Sequence, residues 1–148
     1  MNISEIKISI IVPIYPPHFN KITGLINNFN RQTVLPNEVI ICASECNDET
    51  GRKLIRNLQT KYDLIVDNTL LKNNQAENRN RGIKKARYKY VMNVDADDFI
   101  HYRKIELMKK IITERPKVNL ICHNYFIRKP PTDQFLNYPL DFDNIKLY

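Results

Sequence analysis

Glycine is scarce in this chain and tryptophan is absent: 148 residues include three Gly, three Cys, three Met and no Trp. So few glycines leave no Gly-x-Gly-x-x-Gly dinucleotide turn and no Gly-x-x-x-x-Gly-Lys-Ser/Thr phosphate loop, and phosphates would have to be held in another way. Cys42, Cys46 and Cys122 show no Cys-x-x-Cys spacing and no neighbouring histidine pair, which argues against a zinc site or a disulfide framework. The longest apolar run, Ile8 to Tyr15, is interrupted by Ser9 and Pro13 and is too short to cross a bilayer. Met1 to Lys7 lacks the basic, apolar and small-residue succession of a secretory signal. A cytoplasmic protein without a transmembrane segment is therefore expected.

What is present reads as one folded domain. Hydrophobic residues make up 43% and charged residues 26%, which excludes a disordered chain. Lys and Arg outnumber Asp and Glu by 23 to 16, a formal net charge of +7 that favours anionic partners. Aromatic and basic residues do not interleave as they do in nucleic-acid recognition motifs, so no nucleic-acid partner is expected.

Apolar runs alternate with amphipathic stretches. Strands are expected at residues 7–14, 38–43, 64–67, 89–94 and 118–126. Helices are expected from the spacing of Ile22, Leu25, Ile26 and Phe29, of Leu54, Ile55 and Leu58, over residues 75–87, and from Ile105, Met108, Ile111 and Ile112 up to Pro116. This βαβαβαβαβ order predicts an α/β fold, a mostly parallel sheet with helices on both faces. Residues 1–128 form that domain, and 129–148, opening on Lys129-Pro130-Pro131, read as a loop or truncated extension.

The strand Tyr90-Val91-Met92-Asn93-Val94 runs directly into Asp95-Ala96-Asp97-Asp98. Like charges crowded together are unfavourable unless something positive neutralises them, and Asp is a poor strand former. A hard divalent cation, Mn²⁺ or Mg²⁺, bridging a diphosphate would satisfy both, since these ions take one or two protein oxygens and the rest from phosphate and water. The plainer alternative is a helix N-terminus, where Asp stabilises the dipole. In open parallel sheets, ligands bind beyond the carboxyl ends of the strands, where Asp95, Asp97, Asp98 and the Pro13-Ile14-Tyr15 segment all fall.

The helix over 75–87 places Arg79 in an inward stripe with Ala76, Ile83 and Ala86, and a buried Arg needs an anionic or acceptor-rich partner. The Asp cluster or a bound nucleotide could serve. Gly82 in mid-helix costs about 1 kcal/mol relative to Ala, which a close approach to a strand or ligand would explain. Glu77 and Arg81 have the i, i+4 spacing of a surface ion pair.

Four segments together, Ile8-Ser9-Ile10-Ile11-Val12-Pro13-Ile14-Tyr15, Gln32-Thr33 with Pro36-Asn37-Glu38-Val39-Ile40-Ile41, Asn78-Arg79-Asn80-Arg81-Gly82-Ile83, and Val94-Asp95-Ala96-Asp97-Asp98, resemble family 2 glycosyltransferases of the GT-A fold over roughly residues 6–126. The resemblance implies that Pro13 and Tyr15 line a nucleoside pocket, with Tyr15 offering its ring to the base. It implies that Arg79 lies beside the nucleotide, and that Asp95 and Asp97 form the Asp-x-Asp motif, Asp95 meeting the ribose or metal and Asp97 ligating the metal. Asp98 could share that second role, and Glu106 matches an acidic position that often follows.

Other positions depart from the family. Ala43-Ser44-Glu45-Cys46-Asn47-Asp48 stands where it usually reads two Asp, Gly, Ser, Thr, Asp. The Asp used against the base is Ala43, while Asp48 survives either as a nucleotide-binding residue or as a cap of the second helix. Pro16-Pro17 replaces an Asn after Tyr15, and Tyr102 replaces a Pro. The implied function is metal-assisted, inverting transfer of a sugar from a nucleoside-diphosphate sugar, a UDP-sugar by preference, to the hydroxyl of an unidentified glycan, lipid or protein acceptor. The alternative is a catalytically silent nucleotide-sugar-binding module or the donor half of a larger enzyme. No catalytic base is assigned; Asp141, Asp143 and His123 are the late candidates.

Overall fold

Each of the seven residues of strand β1, Ile8–Ile14, is buried. Successive strand residues point to opposite faces, so a fully buried strand has both faces covered. The computed structural model describes residues 2–122, 125–129 and 134–138 and places β1 inside a four-stranded sheet. Its other members are β2 (Glu38–Ala43), also fully buried, β3 (Asp63–Asn68) and β4 (Tyr90–Asn93). The order is β3-β2-β1-β4, and each neighbouring pair is parallel. Helices α1 (Ile22–Asn30), α2 (Asp48–Ile55), α3 (Gln75–Lys85) and α4 (Lys104–Glu114) connect and follow the strands. The α/β parallel architecture expected from the alternating pattern is what the chain adopts.

The core is aliphatic. Ile10, Ile11, Val12 and Ile14 of β1 and Val39, Ile40 and Ile41 of β2 are wholly buried, as are Ile26 and Phe29 of α1 and Ile105 of α4. Helix α3 packs on β1 and β2, but not with the stripe expected for it. Asn78 and Gly82 are its buried residues, whereas Ala76 and Ile83 face solvent and Arg79 is half-buried. The close approach at Gly82 sets this rotation: a Cβ there would collide with Ile11 and stand 2.7 Å from Cys42 Sγ. The expected Glu77–Arg81 pair is likewise not formed. Glu77 instead closes a capping box, accepting from the Asn74 amide at 2.7 Å while its own amide donates to Asn74 Oδ1 at 2.9 Å, and Arg81 pairs with Asp67 at 2.8 Å.

The chain divides into two compact units, residues up to Pro116 and residues from Lys117. The strand expected over residues 118–126 is not present as one element: residues 118–122 are irregular and Leu120 is exposed. A short apolar run does not identify a strand by itself. In the second unit, β5 (Tyr125–Lys129) pairs antiparallel with β6 (Gln134–Tyr138), with Ile127 opposite Leu136, so a strand lies within the stretch 129–148 expected as a loop or truncated extension. No helix among the described residues is long and apolar enough to cross a membrane.

Candidate functional site

The chain reverses its direction of travel across the sheet between β1 and β4: β2 and β3 were added on one side of β1, and β4 is added on the other. Strands separate at such a point, and ligands bind in the crevice at their carboxyl ends. Here the separation has a cause in the sequence. The Ile11 carbonyl accepts from the Val94 amide, and the Ile14 carbonyl accepts from the Ser44 amide, so alternate residues of β1 face alternate neighbours. Pro13, two residues after Ile11, faces the β4 side beyond the last paired residue, Asn93. Proline lacks the N–H that would extend the ladder, and the two strands part there.

The crevice so formed has a volume of about 230 Å³ and is lined by Pro13, Ile14, Tyr15, His18, Glu45, Lys72, Asn73, Asn74, Gln75, Asn78 and Asp95. Three residues singled out from the sequence, Pro13, Tyr15 and Asp95, are thus brought to one cleft. Tyr15 is 43% exposed and its ring lies 4.4 Å from that of His18 at a tilt of 48°. A ring half in solvent offers a face for a planar ligand.

Asn78, Ser44 and Gln75 were not singled out as site residues, yet they set the shape of this crevice. The buried Asn78 amide donates to the Ile14 carbonyl at 3.3 Å and to Ser44 Oγ at 3.2 Å, and its oxygen accepts from Arg81 at 3.0 Å. One side chain therefore ties α3 to the ends of β1 and β2. Gln75 donates to Asp95 Oδ1 at 2.9 Å and Arg79 donates to the same oxygen at 2.7 Å. Asp95 is thereby held and neutralised from α3. The signal for Asn78 was its helical position four residues before Gly82, the residue of closest approach.

Asp95 to Asp98 form a turn rather than a helix cap: the Asp98 amide donates to the Asp95 carbonyl at 3.1 Å, and Asp98 Oδ2 accepts from the Asp95 amide at 3.3 Å. Helix α4 begins later, at Lys104, which removes the dipole-capping alternative. The Asp98 carboxyl is raised from its ordinary value, first by desolvation and then by the charges of Asp95 and Asp97, although the hydrogen bond from the Asp95 amide opposes this. Lys104 is pushed down to about 8 by burial, against the pull of Asp98. Asp97 is exposed and, among the described residues, has no hydrogen-bond or ion-pair partner. No group of three His, Cys, Asp or Glu side chains among the described residues is arranged to hold a metal ion; Asp95, Asp97 and Asp98 share a turn without converging on one point.

Arg79, Asp97 and Asp98 do not line the crevice, and Asp48 lies elsewhere. Asn47, not Asp48, caps α2 by accepting from the Thr50 amide at 2.8 Å. Asp48 accepts from Asn68 at 2.8 Å and borders a separate depression with Gly51, Arg52, Ile55, Val66 and Asn68. Glu106 pairs with Arg103 at 2.7 Å and accepts from Thr33 at 2.7 Å, and these partners hold its carboxyl down at about 2. Gln32 completes that support: its amide donates to the His101 carbonyl and its oxygen accepts from the Ile105 amide. Gln32 and Thr33 thus fasten the end of α1 to the segment that follows the Asp turn. His123, Asp141 and Asp143 lie outside the described residues.

Poly(ribitol-phosphate) beta-glucosyltransferase of Bacillus spizizenii is 29% identical over 98 residues, covering 64% of this chain and 15% of that protein. The crystal structure of S. aureus TarS 1-349 matches with a TM-score of 0.63 and 25% identity, over 75% of this chain and 33% of that one. TarS 1-349 in complex with UDP matches at 0.60 and 28%, over 75% and 33%, and in complex with UDP-GlcNAc at 0.59 and 25%, over 75% and 32%. The chain spans a third or less of the length of these relatives. The family model described as glycosyl transferase family 2 matches residues 9–146, nearly the whole sequence, and the chain belongs to that family.

Proposed function

We propose that the crevice at the ends of β1 and β4 binds a nucleoside-diphosphate sugar, with UDP-sugars preferred, and serves its transfer to an acceptor hydroxyl with inversion at the anomeric carbon. The observation that carries this reading is the joining of Pro13, Tyr15 and Asp95 in one cleft at the switch point of a parallel sheet. The likeness to TarS, solved with UDP and with UDP-GlcNAc, supports it, as does a net charge of +7 suited to an anionic donor.

In this reading the nucleoside stacks on Tyr15. Asp95, fixed by Arg79 and Gln75, presents its second oxygen to the ribose or to a cation. The donor set suits Mn²⁺ or Mg²⁺: Asp97 is a hard oxygen ligand without a partner among the described residues, and Asp98 is a carboxyl whose ionisation is disfavoured by desolvation and then by the charges of Asp95 and Asp97, a cost that a cation relieves. When bound there, such an ion supplies Lewis-acid stabilisation of the charge that develops on a departing diphosphate. The acceptor hydroxyl attacks the anomeric carbon from the face opposite the diphosphate; no residue is assigned as the base that takes its proton.

Calorimetric titration of UDP tests the binding step. Replacing Mn²⁺ by a chelator, or Asp97→Asn with Mn²⁺ present, is expected to weaken binding by at least the roughly 10- to 100-fold that loss of a metal's outer support alone costs. Equal affinity with and without chelator would remove the metal from the reading, and UDP failing to bind at all would end it. Hydrolysis or transfer with pooled nucleotide sugars separates an enzyme from a silent binding module.

A further inference from the structure

Glu45 is the non-glycine residue with positive φ among the described residues, at 50°, in the left-handed region that side chains with a Cβ avoid. The surrounding backbone imposes it. Three consecutive amides are held: Ser44 donates to the Ile14 carbonyl at 3.1 Å, Glu45 to Leu71 at 3.1 Å and Cys46 to Thr69 at 2.8 Å. Glycine would satisfy this turn without strain. A glutamate kept there needs a reason outside the fold, and strained residues of this kind concentrate at ligand sites.

The side chain supplies one, because Glu45 lines the crevice together with Tyr15 and His18. Among the described residues its carboxylate has no hydrogen-bond or ion-pair partner, Lys72 included. Ala43, the position at which the family resemblance would put a base-binding Asp, is a buried methyl outside the crevice lining. Asp95, the other carboxylate of the crevice, already has Oδ1 engaged by Arg79 and Gln75.

We propose that Glu45 is a donor-specificity residue, whose carboxylate accepts hydrogen bonds from N–H or O–H groups of the nucleoside. This rests on the nucleotide reading above. An ionised carboxylate only accepts, so it selects base N–H groups and ribose hydroxyls and repels phosphate. The nucleoside therefore takes the Glu45 end of the crevice, and the diphosphate points toward the turn of Asp97 and Asp98.

The test is calorimetry of the 148-residue chain and of Glu45→Gly with Mn²⁺, using UDP, N3-methyl-UDP and 2′-deoxy-UDP, alongside thermal melts. Glu45→Gly is expected to melt at the same or a higher temperature, because glycine relaxes the turn, while binding UDP about 10- to 100-fold more weakly, as loss of a hydrogen bond to a charged group does. The modified nucleotide that lacks the recognised donor should bind the unsubstituted chain as weakly as Glu45→Gly binds UDP and lose nothing further against the variant. N3-methyl-UDP behaving so identifies the base, and 2′-deoxy-UDP the ribose. UDP affinity unchanged in Glu45→Gly would overturn this inference and leave the nucleotide reading standing. No UDP binding by the unsubstituted chain would overturn both.

Discussion

Glu38 opens β2 as a wholly buried carboxylate, and what surrounds it explains why it is tolerated. Burial alone would raise its pKa. Ser9 Oγ donates to it at 2.5 Å, the Arg87 amide at 2.8 Å and the Arg87 guanidinium at 2.6 Å, and together they outweigh desolvation, so the carboxyl sits below its ordinary value of 4.5. Arg87 also pairs with Asp63 at the start of β3, joining β1, β2, β3 and the end of α3 through one ion cluster. Because the folded pKa is lowered, the folded state binds fewer protons than the unfolded chain between the two values. The stabilisation is therefore complete above about 4.5 and is lost as pH falls through the lower folded pKa. Glu38→Ala, which leaves the buried Ser9 hydroxyl and the Arg87 amide without their acceptor, is expected to lower stability by about 1 to 3 kcal/mol in urea unfolding at pH 7. The acid limb of its stability curve should also be shallower than that of the unsubstituted chain; an unchanged limb would assign the acid sensitivity to other carboxylates. Nothing local in the sequence announces this cluster, since Glu38 and Arg87 are 49 residues apart.

Elements were legible where one physical signal dominated. The strand at residues 38–43 coincides with β2, and the apolar run at 7–14 with β1 to within one residue, because a strand buried on both faces is a continuous hydrophobic stretch. The Pro13-to-Tyr15 edge and the Asp turn were legible as site components because their residue types conflict with plain strand packing. Helix α3 was placed correctly and rotated wrongly: counting apolar residues favoured Ala76 and Ile83, whereas the buried face is organised by the absence of a side chain at Gly82 and the polar fit of Asn78. Leu120 to Cys122 misled in the opposite way, being apolar without forming a strand. Two glycines test the packing argument. Gly82→Ala gains helix propensity of about 1 kcal/mol but drives a methyl into Ile11 and Cys42, for which overpacking costs of about 1 to 3 kcal/mol are typical; net destabilisation is expected. Gly24 in α1 has open space where a Cβ would go, so Gly24→Ala should stabilise by about 0.5 to 1 kcal/mol. Midpoints of urea unfolding read both, and stabilisation by Gly82→Ala would show that α3 is not seated against β1 and β2 as described.

At the scale of the whole molecule, two features could each attract a nucleotide, and they make different predictions. The net charge of +7 attracts any polyanion, with a strength that falls as salt screens it. The proposed site at the switch point would recognise shape: Tyr15 and His18 offer ring faces, and Asn73, Asn74 and Gln75 offer amides. Its volume of about 230 Å³ falls below the roughly 300 to 1,000 Å³ of sites that enclose a drug-sized ligand, so under the proposed function the cleft would take the nucleoside and leave the rest of a nucleotide sugar outside it. Ligand that binds only the folded chain stabilises it by mass action, about 2.7 kcal/mol at a concentration 100 times Kd. For a chain of this size each kcal/mol moves Tm by about 2 to 4 °C, so saturating UDP with Mn²⁺ should raise Tm by roughly 5 to 10 °C. Inorganic diphosphate with Mn²⁺ carries the charge without the nucleoside and should give a much smaller shift, one that 0.5 M salt, at a Debye length of about 4 Å, largely removes while most of the UDP shift survives. Equal shifts from UDP and inorganic diphosphate, collapsing together in salt, would mean that surface charge recognises the ligand and that the crevice beside Tyr15 does not.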